Sequence, residues 1–373
     1  MKEVEITLVV MGDVKNPHTW SGTPYNIYRE LIKKGVRVNC INENELISPL
    51  EKKIVRCLNK FGIIADLDRS PLFYHSIAKR LQIKLNEINV KNVLFISSHC
   101  LDDSCDERKK YYLYVDAVKR PVVEAGRYNR IKRFFIKLSL PKYEKRDRMS
   151  YAHMSEVFSL NDWTRQYLID SYKIPAEKIT TVNCGVNLEP YYGEKNYDDN
   201  LLLIVLRKGT EYYKGLLLLI DAFDIVKEKV SNAKLAIVGT DEVRSQEGVT
   251  YYHNKSRETT VELFKRCTLY TMPALAEPNG TTYVEALANK APIVGLNKFS
   301  APEFSGYGKY GFMASEATPQ SVADVIIEAL SDKERLKRMG EEGQQFVMKT
   351  FTWEVVCQKM LDSMVLELSL IHI

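Results

Sequence analysis

The sequence predicts an α/β chain made of two doubly wound parallel-sheet domains with a cleft between them. Three observations carry this expectation. Short apolar runs of strand length alternate with helical stretches through both halves of the chain, which is the pattern a parallel sheet with helical crossovers requires. A polar, turn-rich patch from Glu189 to Asn200 interrupts the alternation, and strands begin again after it. At 373 residues the chain is long enough for two such domains.

In the first half, 6–10 reads as a strand, 24–34 as a helix and 36–41 as a strand. Helical patterns follow at 46–60 and 75–87, then strands at 93–96 and 112–115. A short strand at 156–159 leads to a helix at 162–171 that Asn161 can cap, and a strand at 179–182 closes this half. In the second half, strands at 201–206 and 234–238 flank a helix at 216–229, and a helix at 259–266 follows. The apolar runs 267–273 and 291–295 read as buried parallel strands on either side of a helix at 282–289. Helices at 319–330, 332–350 and 353–366 end the chain, and the last five residues, Ser369 to Ile373, show no helical logic. The expected domains are therefore 1–190 and 191–352, with a C-terminal helix over 353–373 packing back toward the first.

Composition is that of an ordinary globular chain, with 45% hydrophobic and 27% charged residues, so neither disorder nor low complexity is indicated. A net charge of +5 is too mild to suggest nucleic acid as a partner. Seven scattered cysteines read as reduced thiols in a cytoplasmic protein, not as a disulfide framework. The first residues resemble a β-strand and not a signal peptide, and no apolar run reaches the length of a membrane span.

The segment with the most chemical content is Glu277-Pro-Asn-Gly-Thr-Thr-Tyr-Val-Glu285. Pro278 and Gly280 break the chain, and good helix formers follow, which marks a helix N-terminus. Such an end offers free N–H groups and partial positive charge to a phosphate. Glu277 before the helix and Glu285 one turn inside it can accept hydroxyls on either side of that phosphate. This is what a nucleotide-sugar needs. The plainer reading is a chance pair of acids, one of them a favourable charge at a helix start. The flanking strands place the pair at the carboxyl edge of the second sheet, where ligands bind in doubly wound folds.

The ordered set of features resembles a known family. It comprises Leu201-Leu-Leu-Ile-Val-Leu-Arg207, Tyr213-Lys214-Gly215, Leu235-Ala-Ile-Val-Gly239, the Glu277 to Glu285 segment and Ala291-Pro-Ile-Val. Together they resemble the retaining glycosyltransferases of the GT-B fold, family 4 type (glycosyl transferases group 1). Trp20-Ser-Gly-Thr-Pro-Tyr-Asn26, Phe158-Ser-Leu-Asn-Asp-Trp-Thr-Arg165 and Ile179-Thr-Thr-Val-Asn-Cys-Gly-Val-Asn187 agree with it in the first half.

The resemblance implies two Rossmann-like domains facing across a cleft, the first for an acceptor and the second for a nucleotide-diphospho-sugar donor. It implies that Arg207 and Lys214 bind the donor diphosphate, and that Glu277 holds the hydroxyls of the sugar. Asn279, Gly280 and Thr281 would present N–H groups, and Glu285 would accept from the ribose. Pro278 departs from the commoner Gly, although Glu-Pro-x-Gly is familiar in starch and glycogen synthases. Base contacts are expected near 252–255, largely through backbone.

Gly22 and Thr23, before the first helix, would approach the donor phosphate and the acceptor; an ordinary capped turn is an equal reading. Many relatives carry a His where this chain has Val115-Asp116. Asp116 either replaces it at the sugar or caps the next segment, and His99 is a further candidate for the cleft. No metal is required, since Arg207 and Lys214 supply the positive charge. The grouping of His99, Cys100, Asp102, Asp103, Cys105 and Asp106 lacks the spacing of a zinc site.

The implied activity is transfer of a sugar to an acceptor hydroxyl, with carbohydrate or lipid-linked acceptors, in cell-surface polysaccharide or glycolipid synthesis. The alternatives are a non-catalytic nucleotide-sugar-binding protein, or an epimerase or hydrolase on the same fold. The basic, partly apolar stretch 127–148 is either a solvated face, the preferred reading, or a peripheral contact with the inner face of the membrane.

Overall fold

The computed structural model describes residues 4–60, 73–97, 100–115, 118–241, 243–253 and 256–370. Asp116, His99, Asn254 and Lys255, all singled out from the sequence, lie outside the described residues. The chain divides into two compact units. One comprises Met1–Val118, Tyr128–Asn183 and Val356–Ile373, the other Lys119–Arg127 and Cys184–Val355. The division after Asn183 falls earlier than the 190/191 boundary read from the turn-rich patch. The physical reason is local. Val186 N–H donates to Phe351 O at 2.8 Å and Tyr191 N–H to Ala288 O at 3.2 Å, so the patch is bound into the second unit instead of linking the two.

The first unit is built on six parallel strands: β1 (Glu5–Val10), β2 (Arg37–Asn42), β3 (Asn92–Ile96), β4 (Lys110–Val115), β5 (Glu156–Ser159) and β6 (Ile179–Thr181), in the order β2-β1-β3-β4-β5-β6. β3 and β4 are buried along almost their whole length, as strands covered on both faces must be. The strand order reverses at β1. Right-handed crossovers then send successive helices to opposite faces of the sheet.

The helix Tyr74–Ile88 turns Tyr74, Ile77, Ala78, Leu81 and Leu85 inward, a helical period of burial, into a core shared with Val93, Phe95 and Leu113. Asn161 caps the helix Asp162–Tyr167 by accepting from Thr164 N–H at 2.7 Å, and that helix gives way to a wider turn over Leu168–Tyr172 instead of running to 171. The helix Arg130–Ala152 is 23 residues long and runs through Pro141. The C-terminal helix Trp353–Leu370 continues past the expected end at 366 and takes in Ser369 and Leu370. From Val356 onward it belongs to the first unit, where Lys359 Nζ donates to Asn183 Oδ1 at 2.7 Å and Ser363 Oγ to Glu156 Oε2 at 2.5 Å.

The second unit has six further parallel strands: β7 (Leu201–Val205), β8 (Lys234–Val238), β9 (Val249–Tyr252), β10 (Leu269–Thr271), β11 (Ile293–Leu296) and β12 (Gly311–Ala314). Their order is β12-β11-β10-β7-β8-β9. The two edge strands were not legible in the sequence. β9 is a half-exposed edge, and β12 is a four-residue strand opening on a glycine. The helices Leu216–Lys229 and Pro319–Ser331 pack on each other, and Thr281–Ala288 packs on Lys333–Thr350. Among the described residues no helix is long and apolar enough to cross a membrane.

Candidate donor site at the carboxyl edge of the second sheet

In the second sheet the strand order reverses between β7 and β10, and the loops leaving those two strands carry the predicted chemistry. Such a reversal opens a crevice at the carboxyl ends of the strands. The loop after β7 folds on Thr210. Its hydroxyl accepts from Arg207 N–H at 3.2 Å and donates to Arg207 O at 2.7 Å, and Lys214 N–H donates to Thr210 O at 3.0 Å. The loop after β10 is tied to it by Leu275 and Ala276 N–H groups, which donate to Tyr213 O at 2.7 and 3.1 Å. Gly215 sits where they press together. Its φ is +78° and a Cβ there would lie 2.0 Å from Pro273 O, so no other residue fits.

This contact brings Lys214 and Glu277 together. The Lys214 ammonium lies 3.1 Å from Glu277 Oε2. Glu277 Oε1 accepts from the N–H groups of Asn279 at 3.2 Å and Gly280 at 3.1 Å, and its backbone carbonyl accepts from Ser300 Oγ at 2.7 Å. Burial alone would raise the Glu277 pKa. The ammonium and the two N–H donors outweigh that, and the carboxyl is held below its ordinary value.

One sequence expectation changes here. The N–H groups of Asn279 and Gly280 are not offered outward, because Glu277 itself takes them at the start of the helix Thr281–Ala288. Gly280 is required by its own surroundings. Its φ is +67°, and a Cβ would lie 2.3 Å from the Phe304 ring.

Glu285, on the same helix, is partly buried. Burial pushes its carboxyl up to about 7, against the pull of Arg257 and Lys214. Arg257 opens the helix Arg257–Arg266 and donates to Asn187 O. Among the described residues, the Glu285 carboxylate has no hydrogen-bond partner within the protein.

A cavity of about 430 Å³ lies at the carboxyl ends of β7 and β8, lined by Arg207, Lys208, Gly239, Thr240, Asp241 and Thr260. Arg207 is exposed there. Thr240 Oγ1 donates to the buried Glu211 at 3.1 Å, and His253 Nδ1 contacts Thr240 O at 2.7 Å. That Thr240 and Asp241 line this cavity was missed. The available signal was a Gly-Thr-Asp turn directly after an apolar strand. A smaller cavity of about 270 Å³ opens at the opposite edge of the sheet, by Asp199, Lys234 and Arg266, away from this chemistry.

In the first unit, Gly22 (φ +96°) is the N-cap of the helix Thr23–Lys33, with no side-chain cap and Pro24 in the first turn. The acids of the 100–106 segment are committed to separate partners. Asp102 meets His75 at 2.6 Å, Asp103 meets His153 at 3.1 Å, and Asp106 meets Arg108 at 2.9 Å.

Two doubly wound parallel sheets in two units, the second with basic and acidic loops at its strand reversal, define the class of the GT-B proteins. More particularly, residues 193–346 match the family of glycosyl transferases group 1. An uncharacterized glycosyltransferase of Methanocaldococcus jannaschii is 27% identical over 182 residues, 46% of this chain and 48% of that protein. A GDP-mannose-dependent alpha-(1-6)-phosphatidylinositol monomannoside mannosyltransferase of Mycobacterium tuberculosis is 25% identical over 167 residues, 40% of this chain and 43% of its own. The chain thus spans less than half the length of these curated relatives. In fold, sucrose-phosphate synthase from Thermosynechococcus elongatus superimposes with a TM-score of 0.70 over 98% of this chain and 100% of that one, at 13% identity.

Proposed function

We propose that this chain is a retaining glycosyltransferase of family 4 type that moves a sugar from a nucleotide-diphospho-sugar to an acceptor hydroxyl. The observation that carries the reading is the Lys214–Glu277 pair, 3.1 Å apart at the strand reversal of the matched region. A helix N-terminus follows Glu277, and an Arg207-lined cavity lies at the carboxyl ends of the same sheet. In this reading Arg207 and Lys214 bind the diphosphate and offset the charge that grows on it as the glycosidic bond breaks, so that no metal is needed. Glu277 orients Lys214 and, with one of its lone-pair positions still open, accepts from a sugar hydroxyl. Glu285 accepts from the ribose. The acceptor hydroxyl attacks on the face from which the diphosphate departs, and a phosphate oxygen takes its proton. The acids then act as binders, not as the paired acids of a hydrolase.

The mannosyltransferase relative is named for a lipid-linked acceptor, and that supports cell-surface glycolipid or polysaccharide synthesis as the setting. The test is a thermal-shift panel of UDP-, GDP- and ADP-sugars on wild type, Lys214→Ala and Glu285→Ala. One base should raise the midpoint in wild type and in neither variant. A folded wild type that answers none of them would remove the reading.

The same setting includes a peripheral contact with the inner face of an anionic membrane. On the helix Arg130–Ala152, Ile131, Phe134 and Leu138 are 67, 60 and 54% exposed and share one face, while Ile136, Leu140 and Tyr143 are buried on the other. Arg130, Lys132, Arg133 and Lys137 flank that exposed stripe. Basic groups around an apolar stripe suit an anionic lipid surface. Vesicles containing phosphatidylglycerol should sediment the protein, pure phosphatidylcholine should not, and changing all three apolar residues to Ser should lower the bound fraction several-fold. Equal binding by that triple variant would end this part of the proposal.

A further inference from the structure

The first sheet repeats the strand reversal of the second, and its loop at the equivalent place carries an exposed indole, Trp20. The reversal lies between β1 and β3, as it lies between β7 and β10 in the other unit. The loop leaving β1 therefore occupies the position that the Arg207–Gly215 loop occupies in the second sheet, and it too ends on a left-handed glycine capping a helix, Gly22 against Gly215. Within this loop Trp20 and Ser21 both have positive φ, 49° and 59°. Two successive left-handed residues other than glycine each cost about 1–3 kcal/mol and persist only where the surroundings fix them. The surroundings do so here. Trp20 Nε1–H donates to Met11 O at 2.8 Å, Thr19 Oγ1 donates to Asp13 O at 2.7 Å, and Gly12 N–H donates to Asn42 Oδ1 at 3.0 Å. The result is an indole whose only polar group is already satisfied, yet which remains 42% exposed at the edge of the sheet where doubly wound folds bind ligands.

We propose that Trp20 is a stacking platform for a pyranose ring of the carbohydrate acceptor, and that it sets acceptor specificity. This rests on the glycosyltransferase reading above. A pyranose has an apolar C–H face and a rim of hydroxyls. A rigid indole held by its own N–H can cover that face with little loss of conformational freedom. With the N–H occupied, the platform selects by ring face and not by hydrogen bonding. Sugars with an axial group on the stacked face are disfavoured.

The test is saturation-transfer NMR with the methyl glycosides of glucose, mannose and N-acetylglucosamine on wild type, Trp20→Phe and Trp20→Ala. The thermal shift induced by the nucleotide-sugar is read on each protein alongside. Wild type should transfer saturation to the ring C–H protons of at least one glycoside. Trp20→Phe should keep that glycoside with reduced affinity, and Trp20→Ala should bind it about tenfold more weakly, while all three proteins keep the nucleotide shift. Equal glycoside binding by Trp20→Ala overturns the inference. So does a wild type that answers the nucleotide-sugar and no glycoside. A wild type that answers neither removes the glycosyltransferase reading and this inference with it.

Discussion

Lys214→Ala is expected to lower kcat with the nucleotide-sugar donor by about two to three orders of magnitude, the usual cost of removing a preorganised charge from a developing anion. It should also destabilise the protein, by about 2–4 kcal/mol, because it leaves the Glu277 carboxylate buried without its cation. These two losses have different origins, and a second variant separates them. Lys214→Ala with Glu277→Gln removes the uncompensated charge, so most of the stability should return, while turnover should not. Steady-state kinetics and thermal melts on the single and double variants decide the matter. Full recovery of turnover in the double variant would show that Lys214 acts only on Glu277 and never on the donor.

The pH dependence has a definite sign. The folded Glu277 pKa is depressed, so the stability contributed by the pair is present above the unfolded glutamate pKa, about 4.3, and is lost as pH falls through the lower folded value. The gap in Tm between wild type and Lys214→Ala should therefore be wide near neutrality and close in strong acid.

The candidate residues were legible because each sits in a loop that leaves a buried parallel strand. Arg207, Lys214 and Glu277 follow apolar runs that can only be strands, and the spacing of Glu277 and Glu285 about a Pro-x-Gly break marks a helix start without any structure. What the sequence could not show is who bonds to whom. That Glu277 consumes the Asn279 and Gly280 N–H groups depends on the φ of +67° at Gly280. No periodicity reports a dihedral angle. The Phe304 ring that excludes any Cβ at Gly280 lies beyond a helix and a strand from it. The edge strands β9 and β12 escaped because alternation fails in four residues that are half-exposed or begin on glycine. The unit boundary was misplaced because composition records polarity, and the 189–200 patch is polar surface bonded to one unit. The left-handed Trp20 was the least readable feature of all, since an aromatic residue before Ser-Gly suggests only a turn.

Glu285→Gln is expected to make the protein more stable and a poorer binder of nucleotide. Burial raises the folded Glu285 carboxyl to about 7, from 4.5 for an ordinary glutamate. Between those values the folded state keeps a proton that the unfolded state has lost. Stability therefore falls as pH rises through this window and levels off above it. The partial exposure of the side chain lets solvent screen some of the cost, and about 2 kcal/mol is the size to expect. Glutamine carries no such penalty, so Glu285→Gln should raise Tm at about pH 8 and change it little at about pH 4, where both states of wild type are protonated.

Binding runs the other way. Ribose hydroxyls are better held by an ionised acceptor than by a neutral one, so nucleotide affinity in wild type should tighten with pH up to about 7 and then level off. In Glu285→Gln it should be about tenfold weaker and flat across the same range. Calorimetric titration of the nucleotide from about pH 5.5 to 8.5 on both proteins reads this directly. A wild-type affinity that does not change over that range would mean that Glu285 stays outside the ribose contact, whatever it does to stability. In the proposed reading, a destabilising carboxyl is coupled to a ligand that needs it ionised, and bound nucleotide would supply the hydrogen-bond partners that the folded chain does not.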